Sequence, residues 1–136
     1  PKMLFVSGHS ICDYVTPRVY EFFTSRYEIR SDVEICHCNL SDENALGFTE
    51  VNGEEQFIQI HNKDITFEEH CKTILHELMH VVQNENGVID EDKRESEAYE
   101  MEEVLYKEFY RNEMRKRVEK LTARWVSQQS GTQTLP

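Results

Sequence analysis

The chain has 136 residues, of which 38% are apolar and 30% charged, a composition typical of one soluble globular domain. Its net charge of −11 argues against general affinity for nucleic acid or anionic membranes. The sequence has no run of about 18 apolar residues, so no transmembrane helix is expected. Met3-Leu4-Phe5-Val6 is too short for the apolar core of a signal peptide. We therefore expect a cytoplasmic domain over residues 1–126 and a disordered tail over 127–136.

The first third of the chain predicts a helix followed by a strand. Thr16 is expected as the N-cap and Pro17 as the first residue of the helix. Residues 33–40 (VEICHCNL) predict a strand that is apolar on both faces and therefore central in a sheet. Four cysteines lack the spacing of a disulfide framework or a structural zinc site and are expected as buried reduced thiols: Cys12, Cys36, Cys38 and Cys71.

A β-hairpin is predicted next, because Asn52-Gly53 separates two short strand-like segments, residues 46–51 and 55–61. The second segment alternates polar side chains with Ile58 and Ile60. That alternation favours an exposed position for the second segment, at the edge of the sheet.

A long helix is predicted from about Phe67 to Asn86. Thr66 and Glu69 form a capping-box pattern at its start, and Gly87 provides its stop. At about 100° per residue, one broad face is apolar. The opposite face carries a polar strip: Thr73, His76, His80 and Gln83.

A last helix is predicted from the capping residues 90–92 to about Val126. Residues 90–103 carry eight acids, whereas residues 107–124 carry seven bases against three acids. We favour a solvated helix face as the interpretation of the basic stretch. The alternatives are contact between subunits and docking of a partner or nucleic acid.

The sequence His76-Glu77-Leu78-Met79-His80 is an H-E-x-x-H motif on the polar strip of the long helix. Two imidazoles one turn apart can hold Zn²⁺, and the carboxylate between them can act as a general base. Gln83 and Asn86 occupy the positions where a longer version of the motif has glycine and a third histidine. A third ligand is therefore expected from the acidic helix.

Helix phase relative to Ala98 favours Glu95 as that third ligand, with Glu97 as the alternative and Glu102 as a group that supports a ligand. This arrangement resembles the gluzincin metallopeptidases, whose prototype is thermolysin, and most of all their small intracellular ImmA/IrrE-like branch. Those families pair H-E-x-x-H with a later E-x-x-A or E-x-x-S, which Glu95-Ser96-Glu97-Ala98 matches. Tyr99 stands where related families often have an aspartate that supports a histidine ligand.

The resemblance implies a zincin-like α+β fold, in which a small mixed sheet with an edge hairpin packs on the motif helix and a glutamate helix follows. It also implies a zinc-dependent endopeptidase with Glu77 as base and a peptide or protein as substrate, the segment 55–61 binding the substrate backbone. The alternatives are an inactive zinc-binding domain that docks a partner and a domain that zinc merely stabilises. Candidate donors to the reacting carbonyl oxygen are Tyr99, Tyr106, His61 and His70.

Overall fold

The computed structural model describes residues 2–133, which form a mixed α+β structure with one four-stranded sheet and three α-helices. Contacts divide the chain after Tyr106 into two compact units, within the stretch that the sequence predicted as one domain over 1–126. The elements in chain order are β1 (Leu4–Gly8), α1 (Thr16–Thr24), β2 (Asp32–Cys38), β3 (Gly47–Asn52), β4 (Glu55–His61), α2 (Phe67–Glu85) and α3 (Glu91–Gln133).

The sheet has the strand order β1-β2-β4-β3, so β2 is central as predicted. β1 and β4 pair with it in parallel, and Ile35 lies opposite Val6 on one side and Ile58 on the other. Only one face of β2 is fully buried: Val33, Ile35 and His37 point inward while the alternate residues are half-buried. The expectation of two buried faces was wrong, and β1 was not predicted.

The hairpin forms as predicted, with Gly53 at a positive φ of 65°. The prediction that its second arm lies at the sheet edge was wrong. β4 pairs with both β2 and β3, and β3 is the edge strand. The inward side chains Ile58 and Ile60 of β4 are fully buried.

Helix α1 begins at Thr16, but Thr16 is not its N-cap. A short 3₁₀ turn over Asp13–Val15 leads into the helix, and Val15 occupies the cap position. The Thr16 hydroxyl is instead buried, and it lies 2.8 Å from His37 Nε2 and 3.0 Å from His70 Nε2. Two internal hydrogen bonds thus replace the predicted cap.

Helix α2 carries the motif and is the central helix of the first unit, where it contacts α1, β3 and β4. Its predicted capping box is present: the Glu69 N–H donates to Thr66 Oγ1, and the Thr66 N–H donates to Glu69 Oε1. Gly87 follows the helix with a φ of 69°, the left-handed conformation of a helix stop. The apolar face is fully buried at Cys71, Ile74, Leu75, Leu78 and Val81.

Helix α3 begins after Asp90, whose carboxylate accepts the Lys93 N–H. It continues to Gln133, beyond the predicted end near Val126. Residues 134–136 of the predicted tail lie outside the described residues. Within residues 2–133, no helix is long and apolar enough to cross a membrane.

Candidate metal centre

Three side chains of the first unit converge at one point: His76 and His80 from α2 and Glu95 from α3. His76 Nε2 lies 3.2 Å from Glu95 Oε2, and His80 Nε2 lies 3.0 Å from Glu95 Oε1. The three potential ligand atoms all lie within 4.8 Å of one another. Both histidines are buried, whereas the Glu95 side chain is 39% exposed. This group could hold a metal ion that enters from the side of Glu95.

The other ring nitrogen of each histidine is fixed by a hydrogen bond. His76 Nδ1 donates to Glu102 Oε1 over 2.8 Å, and His80 Nδ1 donates to Gln83 Oε1 over 2.8 Å. With the proton on Nδ1, each Nε2 presents a lone pair toward the Glu95 carboxylate. Lone pairs that face a carboxylate repel it unless a cation or a proton lies between them. The donor set therefore fits a metal ion, with outer hydrogen bonds of the usual kind.

The charges around His76 also favour a cation. Burial by itself lowers the pKa of His76, but the hydrogen bond that His76 donates to Glu102 and the charges of nearby glutamates outweigh burial and raise the pKa. Those glutamates are Glu77, Glu102 and Glu95. Without a metal, the site would hold a proton more firmly than an ordinary histidine does.

Gln83 connects the second histidine to α3. Its amide nitrogen donates to the Arg94 carbonyl over 3.0 Å and to Glu97 Oε1 over 2.8 Å, which points its oxygen at His80. Glu97, the alternative third ligand, thus bonds Gln83 rather than a histidine, and Glu95 is the acid that reaches the histidines. The sequence put Gln83 on the polar strip but did not reveal its contact with His80.

Glu77 lies beside the cluster and is only 6% exposed. The Thr49 hydroxyl on β3 donates to Glu77 Oε1 over 2.6 Å. Burial raises the pKa of Glu77, although the Thr49 hydrogen bond and the histidines oppose that rise. A carboxylate with a raised pKa is a better proton acceptor at neutral pH than an exposed one.

Gly47 allows β3 to approach Glu77 this closely. A Cβ atom at Gly47 would lie 2.9 Å from Thr73 Cγ2 and 3.1 Å from Glu77 Oε2. Any larger side chain would displace either the strand or the carboxylate. Neither Gly47 nor Thr49 stood out in the sequence, because the contact of β3 with α2 is long-range.

A cleft of about 600 Å³ opens over the cluster, with β3 on one side and α3 on the other. Of the four predicted donors to the substrate carbonyl oxygen, only Tyr99 lines this cleft. The Tyr99 ring packs edge-on against His76, with 4.6 Å between the ring centroids. His61 Nδ1 accepts the Leu40 N–H, and Lys72 lies over the Tyr106 ring. His70 is fully buried beside Thr16.

Tyr99 stands at the position where related families often have an aspartate that supports a histidine ligand. In the structure Glu102 supports His76 and Gln83 supports His80, so the Nδ1 atoms of both histidines are bonded without Tyr99.

Comparison with known proteins adds no relative: no family model, no curated protein and no solved structure matches this chain.

Proposed function

We propose that this chain is a zinc-dependent metallopeptidase of the gluzincin type with a zincin-like fold. One observation carries the proposal: His76, His80 and Glu95 converge, and the buried carboxylate of Glu77 lies beside them in an open cleft. Three protein ligands leave a position for water or substrate, which distinguishes a catalytic from a structural zinc site.

Zinc suits two imidazole nitrogens and one carboxylate, and when bound it supplies Lewis acidity that acidifies water and polarises a carbonyl. His76, His80 and Glu95 would hold the ion. Glu102 and Gln83 keep each imidazole in the tautomer that offers Nε2 as a ligand.

Glu77 accepts the proton of the attacking water and passes it to the leaving amine. Thr49 engages Oε1 of Glu77, which leaves Oε2 to receive the proton. Tyr99 borders the cleft with a 62% exposed ring, and its hydroxyl is the candidate donor to the carbonyl oxygen as negative charge develops there.

The substrate class follows from β3. This strand pairs with β4 on one side only, and its residues Gly47, Phe48 and Thr49 line the cleft. An extended peptide can add to such an edge through main-chain hydrogen bonds, next to the metal ligands. The substrate-binding edge predicted at residues 55–61 is therefore assigned to β3, and a peptide remains the proposed substrate.

The test compares wild type, Glu77→Gln and Glu100→Gln for zinc content and for cleavage of a peptide library. We expect Glu77→Gln to retain one zinc per chain and to lose activity by about a thousandfold, since it removes the base without removing a ligand. Glu100 is exposed on the same acidic helix as Glu95, so Glu100→Gln should match wild type.

Other results would distinguish the alternatives. Zinc binding without cleavage, in wild type as in Glu77→Gln, would favour a domain that docks a partner. Absence of zinc binding would reject the metal centre itself.

A further inference from the structure

The second unit carries an apolar seam on the helix from Lys107 onward. Its four residues follow one another at spacings of four, three and four: Met114, Val118, Leu121 and Trp125. These spacings are those of the a and d positions of a coiled coil. They bring the four side chains onto one strip, about 60° wide at 100° per residue.

The seam is exposed along its whole length. Trp125 is 60% exposed, Val118 59%, Leu121 53% and Met114 37%. Phe109, by contrast, is buried, and it lies on the far side of the helix from the seam. Large apolar residues aligned in this way mark a binding surface more often than isolated ones do.

Basic side chains flank the seam. Arg117 and Arg124 lie within about 60° of one border, and Arg111 and Arg115 within about 60° of the other. The acids of this helix (Glu108, Glu113 and Glu119) lie about 80° or more from the seam. From Lys107 onward seven bases face three acids, whereas the preceding residues carry eight bases and 23 acids.

We propose that the seam docks an amphipathic helix of a partner protein whose apolar stripe is flanked by acidic residues. Positions beside a and d decide partner choice through charge. Arginine on both flanks selects glutamate or aspartate at the facing positions. The proposal does not depend on peptidase activity.

Two other occupants fit less well. A second copy would bring one arginine-flanked seam against another, and no acid lies on either flank to offset the repulsion. Nucleic acid would match the arginines but would leave Leu121 and Trp125 exposed, because phosphate contacts need no apolar strip.

Binding can be followed directly, because Trp125 is the single tryptophan of the chain. The probe is a tryptophan-free synthetic helix of about 21 residues with leucine at a and d and glutamate at e and g. The matched control peptide has lysine at e and g. With the full chain, we expect a blue shift of Trp125 emission and binding at least about tenfold tighter for the glutamate peptide at low salt.

Three variants test the seam and its basic flanks. Leu121→Lys should weaken the glutamate peptide about tenfold or more, although the added positive charge alone would attract it. Ala123→Lys adds the same charge on the opposite face and should leave affinity within about twofold. The double variant Arg117→Glu/Arg124→Glu should reverse the preference toward the lysine peptide. Circular dichroism checks that each variant keeps its helix content.

Three outcomes would overturn the proposal. First, the two peptides could bind equally. Second, light scattering could show that the chain alone forms dimers, which Leu121→Lys dissociates. Those dimers would make a second copy the occupant. A DNA duplex could bind more tightly than the glutamate peptide, with Leu121→Lys strengthening that binding, which would make the basic face a nucleic-acid site.

Discussion

Two pairs of histidines in the first unit differ in the group that joins them. His76 and His80 meet at the carboxylate of Glu95 and border an open cleft. His37 and His70 meet at the hydroxyl of Thr16, and their rings stack at 5.5 Å in the interior. All four histidines are buried, so burial does not separate a candidate metal centre from a structural pair.

The Thr16 hydroxyl joins His37 and His70 in a neutral chain of hydrogen bonds. His37 Nδ1 donates to the Ser7 carbonyl over 2.8 Å, so its Nε2 accepts from Thr16. The Thr16 oxygen in turn accepts from His70 Nε2. A carboxylate cannot serve this way, because it only accepts, and two accepting imidazole nitrogens beside it need a cation. The chemistry of the joining group therefore decides which pair can hold a metal.

The comparison predicts the largest difference in zinc binding. His80→Ala should weaken zinc binding by about a thousandfold or more, because it removes a ligand. His37→Gln should keep one zinc per chain, since Thr16 lies away from the cleft. Metal analysis after dialysis reads both variants, and a chelator should lower the melting temperature of His37→Gln but not of His80→Ala. Zinc loss in both variants would contradict the assignment of His37 and His70 as a pair that does not bind the metal.

The structural pair predicts a loss of stability in acid. Burial, followed by the charge of His37, lowers the pKa of His70 from 6.5 to about 4. His70 of the unfolded chain thus binds a proton below about pH 6.5, whereas His70 of the folded chain binds it only below about pH 4. As pH falls through that window, His70 should cost the fold up to about 3 kcal/mol, with no further loss below it.

Urea unfolding between pH 7 and pH 4 measures this effect. His70→Gln, which cannot titrate, should show a shallower decline than wild type, whatever its stability at pH 7. Equal slopes would mean that His70 takes up its proton at the same pH in the folded and unfolded protein.

The smallest effect on zinc affinity is expected at Gln83, which is hydrogen-bonded to the candidate ligand His80. Gln83→Leu removes the acceptor of His80 Nδ1 and should weaken zinc binding about 10- to 100-fold without abolishing it. Competition with a chromogenic chelator gives the affinity. Glu97→Gln, which alters only the partner of Gln83, should cost less than Gln83→Leu. A larger loss at Glu97 than at Glu95→Gln would make Glu97 the third ligand.

Much of the first unit could be predicted because its signals are local. The Thr66–Glu69 capping box, the Asn52-Gly53 turn and the Gly87 stop each depend on a few adjacent residues, and all three are present. Helix phase brought Glu95 forward among several acids of α3, because the 3.6-residue period fixes which side chains share a face. The same period indicated Glu102 as a supporting group.

The errors have a common physical cause. Thr16 has the residue type of an N-cap, but two distant histidines compete for its hydroxyl. The two hairpin arms differ little in pattern, so which of them pairs with β2 depends on a parallel contact across the chain. Local sequence periodicity does not indicate such long-range contacts.

The sequence by itself determined the helix that carries His76 and His80 and its caps, because helical geometry follows from short-range hydrogen bonds. It favoured Glu95 over Glu97 as the acid that faces the histidines and left both possible. Only the tertiary structure decided that Thr49 holds Glu77, that Gln83 and Glu102 anchor the imidazoles, and that β3 is the free edge above the cleft. The Thr49–Glu77 and His76–Glu102 contacts join residues 28 and 26 positions apart. Gln83 is oriented by contacts with Arg94 and Glu97, 11 and 14 positions away. Packing of the whole sheet against α2, rather than any local preference, brings them together.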